Sequence, residues 1–408
     1  MKLLTIFKDL LPLFFDTAPS PEAQCEYMAP PLHLLLIRFS SIGDIPLHLC
    51  VAANIKERWG NRVHLSLLTS SLCAPLMEGA PFIDDIHGFP KKAPPKALLR
   101  FIRSIHQKKK IDFLLDLHGS LRSLLVRLYF WKIPGLCLDK RSFERHLLIF
   151  AKLDLLSFQY RSPSKGSSSK GSSKERKRGE GEPVVERIPK DFAPVFRYRP
   201  EEREGKWPKT FCAKTFEKSS FLRPSSLRSP YILVAVSASQ AQKRWPLSSY
   251  ERFLAQALVD EDFQGLQFVI TAGPVDDFCS RFFELEKRHP KRLLNLQGKT
   301  SLTESVHLAK EAHFCLGNDT GILHLAESVG TPVLAIFGPT GQAQGLYPHL
   351  PESDTLSLSL WCRPCNTSTK GRCIRSERFC LTRISPEMVR DKLKTLLRAL
   401  PQNRIVLP

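Results

Sequence analysis

The chain has 408 residues, of which 42% are hydrophobic, and it carries a formal net charge of +20 at pH 7. The length predicts two domains plus additional segments, and the hydrophobic share is sufficient for real cores. No apolar run approaches the roughly 18 residues that a membrane-spanning helix needs, so no transmembrane helix is expected. The positive charge favours acidic partners: nucleic acid, an anionic membrane or phosphorylated sugars.

The eleven cysteines are not arranged as a disulfide framework. No export signal is evident, and most of the thiols lie in apolar segments, where cysteine acts as a small hydrophobic residue. These features indicate a reducing compartment. The cysteines in apolar segments are Cys50, Cys73, Cys137, Cys279 and Cys315.

Residues 1–16 form an apolar segment that Lys8 and Asp9 interrupt. A signal peptide has an unbroken apolar centre, so we interpret this stretch as amphipathic rather than as a cleaved signal. Two placements stay open. The segment rests on a membrane surface with its apolar side chains among the headgroups, or it docks on the protein itself, which we favour. Residues 17–31 contain four prolines and form a connector.

Residues 32–155 show the spacing of an open α/β domain. A buried strand at 32–39 leads into the polar turn Ser-Ser-Ile-Gly-Asp, and a helix follows to about Trp59, where Gly60 and Asn61 stop it. Further strands are predicted at 63–68, 83–86 and 111–117, with helical segments between them.

Residues 156–229 break this pattern. The tract at 162–179 is rich in Ser, Gly, Lys and Arg and cannot bury a core, so it is a linker or a surface insertion. Residues 161–230 hold about 18 Lys or Arg against about 9 Asp or Glu, roughly nine of the twenty excess charges. The run from Lys174 to Arg178 fits a nucleic-acid patch or a solvated linker, and the second is commoner.

A second α/β pattern occupies residues 230–408. Strands are predicted from Tyr231, at 267–271 and at 293–296, with a helix at 248–259. The most informative stretch, 314–340, follows as strand, turn, helix and strand. Its turn is Gly-Asn-Asp-Thr-Gly. A helix should start near Asp319 or Thr320 and stop at Gly330. Residues 333–337 are an apolar run typical of a buried parallel strand.

The first turn of such a helix has unpaired N–H groups and the positive end of the helix dipole, so it favours an anion such as a diphosphate. Thr320 and Gly321 let the backbone approach closely, and His324 adds a donor one turn along the helix. On the residues alone a plainer interpretation stays open, in which Asp319 only caps the helix and His324 packs under the next strand.

The run Gly-Asn-Asp-Thr-Gly-Ile-Leu-His-Leu-Ala, followed by Pro-Val-Leu-Ala-Ile-Phe-Gly-Pro-Thr, closely resembles the nucleotide-sugar-binding segment of glycosyltransferase family 9, the heptosyltransferases of lipopolysaccharide core assembly. The resemblance covers roughly residues 32–155 and 230–395, with five blocks in the right order. It implies the GT-B fold, an α/β architecture of two facing Rossmann-like open parallel-sheet domains with the ligand cleft between them.

On the acceptor side, the run Ile-Arg-Phe-Ser-Ser-Ile-Gly-Asp resembles the family's amino-terminal motif, which implies that Asp44 is the catalytic base. An inverting transfer needs a carboxylate that takes the proton of the acceptor hydroxyl, a task worth about 10²–10⁴ in rate. Ser41 and Arg122 are expected to bind the acceptor, since guanidinium pairs well with carboxylate or phosphate. The alternatives are a helix cap for Asp44 and a solvated helix position for Arg122. Pro46 and Cys50 depart from the family's usual residues.

On the donor side, Lys243 in the run Lys-Arg-Trp-Pro resembles the family lysine that contacts the donor diphosphate, with Arg244 as the fallback. A cation there stabilises the nucleotide leaving group as negative charge grows on it. Asp276 follows a Gly-Pro turn, and it either holds a ribose hydroxyl or serves only the turn. The resemblance implies that Asp319 binds the donor sugar and that the phosphates are bound by Thr320, Gly321 and His324.

The last third of the chain carries a possible metal site. Cys362 and Cys365 have metal-ligand spacing, and Cys373 and Cys380 complete a set of four thiolates that could hold a structural zinc ion. No Asp-x-Asp or other hard-cation motif stands out, so magnesium dependence is not expected. Apart from an ADP-sugar as donor substrate, no cofactor is predicted.

The resemblance thus implies an inverting, metal-independent heptosyltransferase that acts on ADP-heptose and on the Kdo-lipid A or heptosyl inner core of lipopolysaccharide. Its expected place is cytoplasmic, peripheral on the cytoplasmic face of the inner membrane, whose anionic surface suits the basic chain. No specific nucleic acid partner is expected. Two alternatives remain: a GT-B enzyme for another nucleotide sugar, and a non-catalytic protein that binds polyanions or membranes.

Overall fold

The computed structural model describes residues 30–40, 42, 44–78, 80–137, 224–273, 281–341, 347–348, 350–365 and 373–400. These residues form two α/β units, each built on one parallel sheet. The predicted amphipathic segment at 1–16 and most of the predicted insertion at 156–229 lie outside the described residues. The prediction of two parallel-sheet α/β halves is confirmed.

The first unit has a five-stranded sheet in the order β3-β2-β1-β4-β5. Strand β1 is central because its run Leu-His-Leu-Leu-Leu-Ile is largely buried and pairs in parallel with both β2 and β4. The elements are Leu32–Ile37 (β1), Asp44–Trp59 (α1), Val63–Ser70 (β2), Asp85–Phe89 (β3), Pro95–Lys108 (α2), Phe113–Asp116 (β4), Leu121–Tyr129 (α3) and Gly135–Cys137 (β5).

The core of the first unit lies between this sheet and its helices. Leu98, Ile102 and Ile105 recur at helical spacing on α2 and are buried in the same cluster as Leu35 and Ile37 of β1. The predicted strand at 83–86 is displaced to Asp85–Phe89, and the predicted strand at 111–117 is shorter, Phe113–Asp116.

The second unit has a six-stranded parallel sheet in the order β11-β10-β9-β6-β7-β8. Its predicted strands at 267–271 and 333–337 are confirmed residue for residue. The elements are Tyr231–Ala235 (β6), Leu247–Val259 (α4), Gln267–Thr271 (β7), Phe282–Arg288 (α5), Leu293–Asn295 (β8), Leu302–Glu311 (α6), Phe314–Asn318 (β9), Gly321–Ser328 (α7), Val333–Phe337 (β10), Asp354–Ser357 (β11), Phe379–Thr382 (α8) and Pro386–Ala399 (α9).

Strands β6, β7, β9 and β10 are buried at every position, as expected for a parallel sheet covered on both faces. Glycine is required at position 317 of β9. A Cβ atom there would lie 2.6 Å from the Ala235 carbonyl oxygen and 2.8 Å from a methyl group of Leu323. The absence of a side chain lets α7 pack directly on β9, which brings the amino terminus of α7 to the carboxyl end of that strand.

In both sheets the chain reverses its direction of strand addition beside the first strand, between β1 and β4 and between β6 and β9. The carboxyl ends of the strands at such switch points are where open α/β sheets bind ligands. No helix in the described part of the chain is long and apolar enough to cross a bilayer.

Candidate functional site

The switch point of the second sheet brings two predicted donor segments together. The loop after β6 ends in a single 3-10 turn, Ala241–Lys243, and the residues after β9 lead into α7. Lys243 Nζ forms an ion pair with Asp319 Oδ2, although the two residues are 76 positions apart in the chain. Their side chains are only 15% and 3% exposed. The structure therefore brings together Lys243, Asp319 and the start of α7.

Two further side chains contact the Asp319 carboxylate. Thr340 Oγ1 donates a hydrogen bond of 2.8 Å to Oδ2, the oxygen that also accepts from Lys243. His324 Nε2 lies 3.6 Å from Oδ1, which is too long for a firm hydrogen bond and makes this an electrostatic contact. The carboxylate is thus held from both of its oxygens.

The ionisation of Asp319 follows from this environment. Burial raises the pKa of its carboxyl group, but the contact with His324 and the positive charge of Lys243 outweigh it and lower the pKa to about 2. Asp319 is therefore an anion at neutral pH. Because a buried anion requires a partner, the ammonium group of Lys243 has a fixed position.

Asn318, the last residue of β9, fixes the loop that carries Lys243. Its Nδ2 donates to the Val236 carbonyl at 2.9 Å, and its Oδ1 accepts from the Trp245 backbone N–H at 2.8 Å. Trp245 is fully buried, and its indole Nε1 donates to the Ile384 carbonyl at 2.9 Å. Trp245, which follows Lys243 and Arg244, is thus anchored through both its backbone and its side chain, so the loop is held in place.

The amino terminus of α7 carries no side-chain cap among the described residues. Thr320 is its N-cap and makes no side-chain capping hydrogen bond, and Gly321 is the first helical residue. The interpretation of Asp319 as a simple helix cap is wrong, since its carboxylate accepts from Lys243 and Thr340 instead. His324 lies one turn along the same helix, with a side chain that is 12% exposed.

Thr340 and Arg363 are site residues that the sequence analysis did not select. Arg363 Nη2 donates to the Thr340 carbonyl at 2.7 Å, and the Cys365 backbone N–H donates to the Pro339 carbonyl at 3.0 Å. Thr340 lies in the turn after β10, which neighbours β9 in the sheet. Its position after Gly-Pro at the end of an apolar run was the signal that could have identified it.

The predicted acceptor residues have less structural description. Asp44 is the first residue of α1, after the carboxyl end of β1, and only its backbone belongs to the described residues. Ser41, like Asp276 on the donor side, lies outside them. Arg122 donates to the Lys91 carbonyl, and its guanidinium carbon lies 5.6 Å from the centre of the Phe39 ring. The solvated-helix alternative for Arg122 is therefore incomplete, because part of its side chain is packed.

The turn after β4 also reaches the switch point of the first sheet. Asp116 is fully buried, and its Oδ1 accepts from the backbone N–H groups of His118 and Gly119 at 2.9 and 2.8 Å. The His118 ring thereby lies beside the end of β1, where its Nδ1 accepts from the Phe39 N–H at 3.3 Å and its Nε2 is 3.4 Å from Ser40 Oγ. His118 is a polar group at this edge that the sequence analysis did not select.

The predicted zinc site is not supported. Among the described residues no group of three or more His, Cys, Asp or Glu side chains is placed to hold a metal ion. Within the described part of the chain none of these four cysteines, Cys362, Cys365, Cys373 and Cys380, forms a disulfide bond, and Cys373 is exposed. Burial raises the pKa of the Cys380 thiol to about 11.

Comparisons with known proteins show what this chain is similar to. The family described as glycosyltransferase family 9 (heptosyltransferase) matches residues 98–372, more than half of the chain. Lipooligosaccharide heptosyltransferase 2 of Haemophilus influenzae is 31% identical over 159 residues, which are 38% of this chain and 43% of that protein. The chain thus spans less than half the length of that relative. Lipopolysaccharide heptosyltransferase 1 of Pseudomonas aeruginosa is 23% identical over 90% of this chain and 99% of its own length.

Solved structures of the same fold cover nearly the whole chain. The ADP-heptose lipopolysaccharide heptosyltransferase II of Escherichia coli aligns over 90% of this chain and 99% of its own, with a TM-score of 0.58 at 20% identity. The Escherichia coli heptosyltransferase WaaC, solved with ADP-2-deoxy-2-fluoro heptose, aligns over 89% of this chain and 99% of its own, with a TM-score of 0.59 at 16% identity. With a family match over most of its length, the chain belongs to glycosyltransferase family 9.

Proposed function

We propose that this protein is an inverting glycosyltransferase that transfers heptose from ADP-heptose to the inner core of a lipopolysaccharide precursor. The observation that carries the proposal is the buried pair of Lys243 and Asp319 at the switch point of the second sheet. It lies beside the amino terminus of α7, which no side chain of the described residues caps. A pre-placed cation and the N–H groups of a first helical turn together make a site for a diphosphate.

The donor side follows from the charges. The Lys243 ammonium offsets the negative charge that grows on the departing ADP, and it needs no reorganisation because Asp319 already holds it. Thr320 and Gly321 present backbone N–H groups, and His324 adds a side-chain donor. Because a lysine supplies this positive charge, we propose that transfer does not depend on a metal ion. Asp276 is proposed to bind the ribose.

Asp319 receives a different role from the one that the resemblance implies. Its side chain is 3% exposed, and one carboxylate oxygen already accepts from Lys243 and Thr340. A buried carboxylate with these partners is well placed to orient the lysine and poorly placed to contact a sugar hydroxyl. We therefore propose that Asp319 positions Lys243, and that a change at Asp319 acts on donor binding through the lysine.

The acceptor side is proposed to be the first unit. Asp44 begins the helix after β1, where the switch point of that sheet predicts a ligand. Its carboxylate is proposed to take the proton of the acceptor hydroxyl as the oxygen attacks the anomeric carbon. Ser41 and Arg122 are proposed to bind the acidic acceptor. The enzyme is proposed to act at the cytoplasmic face of the inner membrane, whose anionic surface attracts a basic chain.

The test is transfer of heptose from ADP-heptose to Kdo-lipid A, followed by mass spectrometry. Wild type should add one heptose mass, and Asp44→Asn should bind ADP normally but lose transfer by about 10²-fold or more. Full activity of Asp44→Asn would remove the base assignment.

The donor assignment has its own control. Lys243→Ala should weaken ADP binding by at least about ten-fold in calorimetry. Lys287→Ala removes a lysine of the same unit that is 71% exposed and paired with Glu284, so it should bind ADP like wild type. If ADP binds but heptose is not transferred, a panel of other nucleotide sugars decides the donor.

A further inference from the structure

Helix α3 has an apolar face that points to solvent. Its inner face is buried in the core of the first unit, with Val126 fully covered. Its outer face carries Leu121, Leu124 and Leu128, which are 83%, 40% and 59% exposed, and Trp131 follows the helix at 74% exposure. The three leucines have spacings of three and four residues, so they line one side of the helix, and Trp131 follows its last turn. These four side chains are here called the α3 ridge. Scattered exposed leucines are ordinary, but a contiguous row is not.

Cations lie beside part of the ridge. At 100° per residue, Arg127 borders the arc that the ridge occupies, and its Nη1 lies 3.9 Å from Oδ2 of the buried Asp116. Arg122 lies nearer the buried face of the helix and packs against the Phe39 ring. Lys132 places its ammonium group 5.2 Å from the centre of the Trp131 ring. No acidic residue occurs in the helix. An apolar row bordered by long basic side chains is the pattern of a helix that lies in the interface of a membrane.

The surrounding surface has the same sign. Residues 91–132 contain eleven Lys or Arg and only two acidic residues, Asp112 and Asp116. Asp116 is fully buried, and Asp112 accepts from the His33 backbone N–H at 3.0 Å. The outward charge of α2 and α3 is therefore almost wholly positive. Such a surface complements an anionic one and repels a second copy of itself.

We propose that the α3 ridge docks on an anionic lipid bilayer, with its leucine and tryptophan side chains among the headgroups and its basic flanks on the lipid phosphates. The proposal deepens the proposed function, since a lipid-held acceptor lies at such a surface. Docking needs neither donor nor acceptor, so it can be measured independently. The bilayer is favoured over a second copy of the chain because the like charges of two such faces would oppose each other.

The experiment uses the full chain and vesicles of phosphatidylcholine, with or without 30% phosphatidylglycerol. Wild type should sediment with the anionic vesicles and much less with the neutral ones. The double variant Leu121→Gln/Leu128→Gln should lower the partition coefficient by about ten-fold or more, with an unchanged melting temperature because both positions are exposed. Val259→Gln, at an apolar position of the second unit that is 74% exposed, should bind like wild type.

A spectroscopic measurement locates the contact. Lipids brominated near the headgroup should quench Trp131 fluorescence, and the quenching should disappear in Trp131→Phe. The proposal is overturned if the double variant binds vesicles as wild type does, if Trp131 is not quenched, or if the ridge instead mediates a dimer in sedimentation. Failure of ADP binding in the same preparations would count against the proposed function and leave these results unaffected.

Discussion

Replacing Asn318 by alanine should destabilise the second unit and loosen the donor site at once. The substitution removes the hydrogen bonds to the Val236 carbonyl and from the Trp245 N–H, and both backbone groups remain buried. An unsatisfied buried polar group costs about 1–3 kcal/mol, so the loss of partners for two such groups should lower the unfolding free energy by about 2–6 kcal/mol. With a urea dependence of about 2 kcal/mol per M, the midpoint of the second unit should fall by about 1–3 M.

The measurement is urea unfolding together with hydrogen exchange at the Trp245 amide. Thr331→Val is a matched control in the same unit, because it removes a single buried hydrogen bond, of 2.6 Å, to the Ala309 carbonyl. Because it leaves one buried group without a partner, where Asn318→Ala leaves two, its cost should be about half as large, about 1–3 kcal/mol. Asn318→Ala should also weaken ADP binding, since the loop that positions Lys243 loses its anchor. The argument fails if Asn318→Ala costs no more than Thr331→Val, or if the Trp245 amide stays protected.

Three further predictions concern pH and positioning. The pKa of Asp319 is about 2 in the fold and 3.8 ordinarily, so above pH 4 this carboxylate should contribute about 2 kcal/mol to the free energy of unfolding. That contribution should be lost as the pH falls towards 2. Stability measured across this pH range should show no such loss for Asp319→Asn. Arg363→Met should weaken ADP binding about ten-fold, because the Thr340 carbonyl loses its hydrogen bond, and Arg363→Lys should retain part of the affinity. Calorimetry measures both, and equal binding by wild type and the two variants would contradict this prediction. Burial lowers the pKa of His33, whose Nε2 lies 2.6 Å from Ser66 Oγ. The first unit should therefore lose stability as the pH falls below about 6.5, the ordinary pKa of histidine. Denaturation curves of His33→Gln should show less of this loss.

The strands could be predicted from the sequence where a local pattern of apolar residues marks them. Strands β7 and β10 match their predictions because each is a continuous apolar run between turn residues. Strands β5 and β11 were not predicted. They are edge strands of three and four residues with partly exposed side chains, so neither an apolar run nor a strict alternation marks them.

The candidate site could be predicted only in part. Lys243 and Asp319 were each found from their own segments, but the pair between them depends on β6 lying next to β9, which no local pattern reveals. Thr340 was missed for the same reason, since it reaches Asp319 only because β10 pairs with β9. The metal interpretation of the cysteines rested on spacing alone, and spacing says nothing about whether four sulfur atoms converge.

The hydrogen bond from the Trp245 indole to the Ile384 carbonyl has a consequence for the order of events during synthesis. The ribosome makes Ile384 139 residues after Trp245. At about 5–20 residues per second, the loop that carries Lys243 waits roughly 7–28 seconds for this anchor. Until then the indole N–H of Trp245 lacks its native acceptor, so the loop that carries Lys243 gains its last anchor only after Ile384 has been made.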